Sequence, residues 1–317
     1  MTRIGTSDLD VFPLSLGGNV FGWTADRDTS LAILDAHAAG GGDFIDTSDS
    51  YMASAPGNVG GESETIIGEW FTSRGSRDAT VIATKVSKHP QFKGLSASTI
   101  AAAADASLGR LQTDRIDLYY AHAEDPATPL EETAEAFDRL VRAGKVRYLG
   151  LSNFAPESVE RYLAIADANG FARPVALQPH YNLVHRNEVE DELAPIALRE
   201  ELSVIPYFAL ASGFLTGKYR SKDDFAGSVR APSAAKYVST QGLTIVDALE
   251  EIGRAHDASI ATVALAWLVA KPFVAAPIAS ASRASQVADL LAVGRVTLSP
   301  EEEARLDAVS AWTPPAA

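Results

Sequence analysis

IDLYYAHAEDPATPLEETAEAFDRLVRAGKVRYLGLS, residues 116–152, decides the fold. Residues 116–122 are rich in β-branched and aromatic side chains and read as a strand. Across residues 129–143, Leu130, Ala134, Phe137 and Val141 recur at i, i+4, i+7 and i+11, the spacing of one helix face. Gly144 stands where such a helix stops. Residues 146–152 then become strand-like again. Strand, amphipathic helix and strand in succession are the unit from which parallel α/β sheets are assembled.

The same alternation runs along the chain. Further strands are expected at residues 13–16, 43–46, 80–84, 175–178, 203–207 and 273–278, which brings the count to eight. A second clear helix covers residues 157–168, with Pro156 near its first turn and Val159, Leu163 and Ala166 on one side. Eight strands alternating with helices predict an α/β fold, a (β/α)8 TIM barrel. The 317 residues, 46% of them hydrophobic, suffice for it, since about 250 residues is typical of one barrel. No internal repeat or linker divides residues 1–317, so a single domain is expected. Residues 3–12, turning at Thr6-Ser7-Asp8, read as an N-terminal hairpin capping the barrel floor. Ser299, Pro300 and Glu302 supply an N-cap, a first-turn proline and a capping glutamate for an extra C-terminal helix. Residues 218–242 read as a long polar loop of the kind that is functional or mobile in compact domains.

Composition narrows the partners. A formal net charge of −14 favours solubility and opposes a polyanion as main partner, so nucleic acid is not expected. There are no cysteines, which rules out disulfide and thiolate chemistry and suits a reducing compartment. The opening residues lack the apolar core of a signal peptide, and no apolar run approaches the ~20 residues of a membrane span. A cytoplasmic protein acting on a small molecule is expected, as monomer or homo-oligomer.

Four side chains fall where expected strands give way to loops: Asp46, Tyr51, Lys85 and His122. Active sites of such barrels lie at the C-terminal strand ends. Together the four offer a proton donor, a means of tuning it and a second hydrogen-bond donor, which suits a carbonyl undergoing reduction. A phenol ionises near pH ~10, so Tyr51 needs a close cation to act as an acid near neutrality. Lys85 is the candidate, with Asp46 holding its ammonium. Asp46 and His122 could alternatively serve a metal-dependent hydrolase, but the six histidines form no His-x-His or His-Glu-x-x-His pair, and no metal is expected.

FIDTSDSY, VIATK and IDLYYAH, which carry these four residues, resemble the catalytic blocks of the aldo-keto reductase family. The resemblance continues through GKVRYLGLSNF (residues 144–154), LQPHYNL (177–183) and YFALASGFLTGKY (207–219). PGNVGGESETIIGEW (56–70) is similar to the bacterial branch with a long loop after strand two. The resemblance implies an oxidoreductase that reduces an aldehyde or ketone with NADP(H), NAD(H) remaining open. It implies that Ser152, Asn153 and Gln178 bind the nicotinamide carboxamide, that Tyr207 stacks on its ring, and that Gly18 and Asn19 lie near its ribose. Phe208, Leu210, Ser212, Gly213 and Lys218 match the family's pyrophosphate loop. Ser280, Ser282, Arg283, Gln286 and Asp289 match its adenosine segment, with Arg283 suited to a 2′-phosphate. Phe208 stands where relatives carry a small hydroxyl residue, so any contact there would come from the main chain. Some relatives are ion-channel subunits, which keeps a redox-sensing binding module as the second reading. No Gly-x-Gly-x-x-Gly follows an early strand, which disfavours a Rossmann fold. Trp23, Phe92 and Trp312 are loop aromatics that could line the mouth, and Lys88 and His89 could add polarity. A sugar, a small aldehyde and a larger ketone all stay open as substrate.

Overall fold

A computed structural model describes residues 1–225 and 231–311. Two short strands, β1 (Thr2–Arg3) and β2 (Asp10–Val11), pair antiparallel ahead of the barrel. The barrel strands are β3 (Ser15–Gly17), β4 (Phe44–Asp46), β5 (Val81–Val86), β8 (Ile116–Ala121), β9 (Val146–Ser152), β10 (Pro174–Gln178), β11 (Ser203–Val204) and β12 (Ile278–Ala279). A small hairpin, β6 (Lys88–His89) with β7 (Phe92–Lys93), rises from the loop after β5. The eight barrel strands form one sheet in the order β11-β10-β9-β8-β5-β4-β3-β12. Every pairing within it is parallel.

Closure of the ring departs from expectation in its details. Residues 273–278 were expected as a continuous strand, yet only Ile278–Ala279 is regular. Pro277 has no N–H to donate, so ladder bonds are interrupted. What remains is an isolated Val204–Val274 bridge, with Val204 N–H donating to Phe273 O (2.7 Å), Ala275 N–H to Val204 O (3.0 Å) and Ile278 N–H to Pro206 O (2.9 Å). The strand expected at residues 203–207 likewise shortens to Ser203–Val204, because Pro206 breaks it. Tyr207 rejoins the sheet through a bridge to His180.

The strands are mostly apolar because both of their faces are covered. In β8, Leu118 and Tyr120 point into the barrel beside Phe44, Ala83, Ala176, Ile205 and Ala275. Tyr119 and Ala121 alternate outward into the core beneath the helices. Tyr120 fits because β9 carries Gly150 opposite it, where a Cβ would come within 2.2 Å of the ring. The N-terminal hairpin places Ile4, Leu9 and Val11 against this inner cluster, so it does close the barrel floor.

The wrapping helices follow their sequence signals. Between β8 and β9, α4 (Leu130–Arg142) buries Ala134 and Phe137. Truncating a buried ring such as Phe137 to alanine typically costs about 3–5 kcal/mol. The next helix, α5 (Pro156–Asn169), has its proline in the first turn and ends at Gly170. Three further helices, α1 (Arg27–Ala39), α2 (Glu62–Arg74) and α3 (Ala97–Leu111), cover β3 to β8, and α1 and α3 are capped by Asp26 and Ser96. Past β10 come α6 (Ala194–Arg199), α7 (Ala231–Ala235), α8 (Thr240–Ala255), α9 (Ile260–Val269) and α10 (Val287–Leu291). The last helix, α11 (Pro300–Val309), begins in the expected capping box of Ser299 and Glu302. The stretch 218–242 is less loop-like than its polarity suggested, since it holds a 3-10 turn at Lys222–Phe225, α7 and the start of α8. Its residues 226–230, and Trp312, lie outside the described residues.

Candidate active site

The C-terminal strand ends surround a cavity of about 450 Å³. Asp46 is the last residue of β4, and Tyr51 follows in its loop. Lys85 sits inside β5 rather than after it, and His122 comes one residue after β8. Asp46 and Lys85 are fully buried. The Lys85 ammonium donates to Asp46 Oδ2 at 2.7 Å, to the Thr47 carbonyl at 2.7 Å and to the Tyr51 hydroxyl oxygen at 2.6 Å. Three acceptors match its three protons. Burial lowers the Lys85 pKa, and Asp46 opposes that shift.

Tyr51 in turn donates to Asp46 Oδ2 at 2.6 Å. The phenol is therefore placed as expected, but its acidity is not: burial first, and the neighbouring Asp46 charge second, push it well above 10. Losing the proton would put a phenolate beside a carboxylate in a dry site, and one ammonium does not offset that. Tyr51 thus keeps its proton at neutral pH. His122 meets the phenol edge to face, with ring centroids 6.1 Å apart. Burial, then Lys85 and Lys88, hold its pKa well below 6.5, so the imidazole is neutral.

Ser152, Asn153, Gln178 and Tyr207 adjoin these four residues. Gln178 Nε2 donates to Asp46 Oδ1 at 2.9 Å. Ser152 Oγ donates to Gln178 O at 2.9 Å. Asn153 does not cap α5, whose N-cap is Ala155. Instead it takes a left-handed φ of 54° and spends both amide protons, on His122 O at 2.8 Å and Ser152 Oγ at 2.9 Å. Its Oδ1 accepts from the Tyr207 hydroxyl at 2.7 Å. A free lone pair remains on Asn153 Oδ1, and Gln178 Oε1 is uncommitted among the described residues, so two residues of the cavity lining keep acceptor capacity.

Asn19, Phe208, Leu210, Ser212, Gly213, Lys218, Ser280, Ser282 and Gln286 also line the cavity, whereas Gly18, Arg283 and Asp289 do not. Asp289 is exposed and its carbonyl accepts from Thr262 on α9. Arg283 is exposed beside Ser282 and forms no ion pair among the described residues. Ser212 and Gly213 have positive φ, which turns the chain tightly beneath Lys218. The described lining contains Lys88 and Lys218 but no carboxylate, although the chain carries a net charge of −14. Such a channel fits a dinucleotide with its anionic pyrophosphate. Trp23, Phe92 and His89 lie off the lining. His89 is buried and packs on Phe92.

Two features escaped the sequence reading. His180 stacks on Tyr207 (5.6 Å, 19°) and on His185 (3.9 Å, 13°), forming a ladder behind the tyrosine. Its signal was present in LQPHYNL, but nothing in the spacing brings Tyr207 alongside. Second, Ser48 and Asp49, within the quoted FIDTSDSY, are fully buried beside His122, although their small polar side chains read as loop residues.

Comparison with known proteins agrees with this geometry. The profile of the Aldo/keto reductase family matches residues 13–311. The chain is 34% identical to Uncharacterized oxidoreductase YrpG of Bacillus subtilis, over 95% of this chain and 92% of that protein. Aldo-keto reductase YhdN of the same organism is 31% identical over 97% and 91%. A Probable voltage-gated potassium channel subunit beta of Oryza sativa is 31% identical over 97% and 95%. The chain belongs to the aldo-keto reductase family, whose members are oxidoreductases acting on carbonyl compounds.

Proposed function

We propose that this chain is a cytoplasmic, NADPH-dependent reductase of an aldehyde or ketone, and that Asp46, Tyr51, Lys85 and His122 carry the reaction. The observation behind this reading is the buried Lys85–Asp46 pair hydrogen-bonded to Tyr51, which lines the same cavity as His122. A bound reduced dinucleotide supplies the hydride. Tyr51 gives its proton to the oxygen that becomes the alcohol. Its high pKa suits that direction, because an alkoxide is far more basic than a phenolate and the acid stays loaded. Lys85 stabilises the phenolate as it forms, with a charge-assisted hydrogen bond already in place. Asp46 and the Thr47 carbonyl keep that ammonium from moving. His122 polarises the carbonyl oxygen as a neutral donor.

Asn153 Oδ1 and Gln178 Oε1 would accept from the nicotinamide carboxamide, and Tyr207, braced by His180, would cover the ring. This fixes which ring face is turned to the substrate. Lys218 would meet the pyrophosphate. The unpaired Arg283 supports a 2′-phosphate and hence NADPH over NADH.

Fluorescence titration with NADPH and NADH, followed by absorbance assays over a panel of aldehydes and ketones, tests this reading. Tighter NADPH binding with reduction of at least one carbonyl is expected. Failure to bind either nucleotide overturns it. Binding without reduction across the panel favours the second reading, a nucleotide-dependent regulatory module, which the similarity to the channel beta subunit supports.

A further inference from the structure

We propose that Ser48 and Asp49 form a relay that sets which ring nitrogen of His122 carries the proton, and hence whether His122 donates to or accepts from the substrate oxygen. The proposal rests on the reductase reading for its functional meaning, though its physical content does not need it. Ser48 Oγ lies 3.2 Å from His122 Nδ1 and 3.3 Å from Asp49 Oδ1. It also lies 3.0 Å from Ser50 Oγ and accepts from the Ser50 N–H at 3.2 Å. A hydroxyl has one proton to give among these neighbours.

Two arrangements satisfy the chain. In the first, Asp49 is protonated and donates to Ser48, Ser48 donates to His122 Nδ1, and the neutral ring carries its proton on Nε2. In the second, Asp49 is ionised and accepts from Ser48, Ser48 accepts from Nδ1–H, and Nε2 is a bare acceptor. The first passes to the second when Nε2 releases its proton into the cavity, Ser48 passes its own to Nδ1, and Asp49 passes its own to Ser48. One proton leaves, Asp49 gains one negative charge and the ring stays neutral throughout. The first arrangement presents an N–H to a carbonyl oxygen. The second presents a lone pair, which suits an alcohol hydroxyl.

Asp49 is built for this role. It is fully buried and its Oδ2 has no partner. Burial, reinforced by the Glu64 charge on α2, pushes its pKa to about 7. Arg110 on α3, paired with Glu64 at 2.6 Å, opposes that shift. Ser50 adds a hydroxyl, and Lys85 on β5 and Tyr119 on β8 feel the Asp49 charge. The Tyr119 hydroxyl is buried without a partner. His89 on β6 faces Arg110 and Glu64, and Lys88 faces His122. No described cation pairs with Asp49 directly, which keeps its ionisation within reach of neutral pH.

Imidazole nitrogen NMR of the nucleotide-free protein tests the relay, with the His122 signals assigned by their loss in His122→Asn. From about pH 5 to about pH 9 the signals should pass from the Nε2–H to the Nδ1–H tautomer, with a midpoint near pH 7. Ser48→Ala should make the tautomer independent of pH. Asp49→Asn should do the same, and if it fails to fold, Ser48→Ala carries the test alone. A wild-type tautomer ratio constant with pH, or a transition unchanged by Ser48→Ala, overturns the proposal. The measurement contains neither nucleotide nor substrate. Absent carbonyl reduction would therefore sink the reductase reading and leave the relay standing, while a fixed tautomer in an active enzyme would sink the relay alone.

Discussion

Gln178 reaches across the barrel mouth to Asp46, its Nε2 donating to Oδ1 at 2.9 Å while Oδ2 receives Lys85 and Tyr51. A residue that the resemblance assigns to the cofactor thus also holds the carboxylate that anchors Lys85. Gln178→Leu should cost about 1–3 kcal/mol of stability, because it strands a buried carboxylate oxygen. It should also weaken nucleotide binding. Urea unfolding and fluorescence titration of the same variant measure both, and unchanged stability would show that the Asp46 contact matters little.

Tyr51→Phe removes the proposed proton donor and leaves the cavity wall in place. Turnover should fall by about 10²–10⁴, the usual worth of a general acid, with nucleotide affinity within about twofold of wild type. Steady-state rates on a reduced substrate check this. Near-normal turnover would transfer the acid role elsewhere.

Breaking the buried Lys85–Asp46 pair from one side leaves a charge without a partner. Lys85→Met should destabilise the fold by about 3–5 kcal/mol. Lys85→Met combined with Asp46→Asn should recover most of that loss, although neither variant should turn over. Denaturant midpoints of the wild type, both single variants and the double variant measure the coupling.

Lys88 lines the cavity together with His122 and its charge reaches that ring, and the described cavity lining holds no carboxylate to neutralise it. Carbonyl compounds bearing a carboxylate or phosphate should therefore have lower KM than neutral analogues of similar size. Lys88→Met should raise KM for the charged substrate by roughly two- to fivefold, as expected for an exposed pair, and leave the neutral one unchanged. Added salt should blunt the difference in wild type only.

His37 is buried on α1 with Nε2 unpartnered, and burial lowers its pKa from 6.5 to about 4. The folded state keeps the ring neutral while the unfolded chain takes up a proton below pH 6.5. Stability is thus fully present above that value and is lost as the pH falls toward 4. The slope is about 1.4 kcal/mol per pH unit for one such group. His37→Gln should remove that slope, measured as urea-unfolding free energy between about pH 6.5 and pH 4.

The barrel was legible because strands covered on both faces are mostly apolar and helices covered on one face show a 3.6-residue period. Residues 116–152 carried both signals, and β8, α4 and β9 formed within a residue or two of expectation. Residues 203–207 and 273–278 were less legible, because Pro206 and Pro277 remove donors without changing the apolar character of the run. Asp46, Tyr51, Lys85 and His122 could be placed at one mouth because strand ends in such a barrel share a rim. The acidity of Tyr51 could not be read, since it depends on how completely Asp46 and the phenol are dried together. Ser48 and Asp49 were passed over for a related reason: nothing in a short polar stretch announces that its side chains turn inward.

Ser15 on β3 pairs with Ile278 on β12, the first and last barrel strands in chain order. Each neighbouring pair of strands from β3 to β11 can assemble as the chain leaves the ribosome, but this last pairing must wait for residue 278. Until then the nascent protein carries an open edge at β3, a template for another chain. The longest-range contact in the ring is also its final one to form, and that delay is where a chaperone would have most to protect.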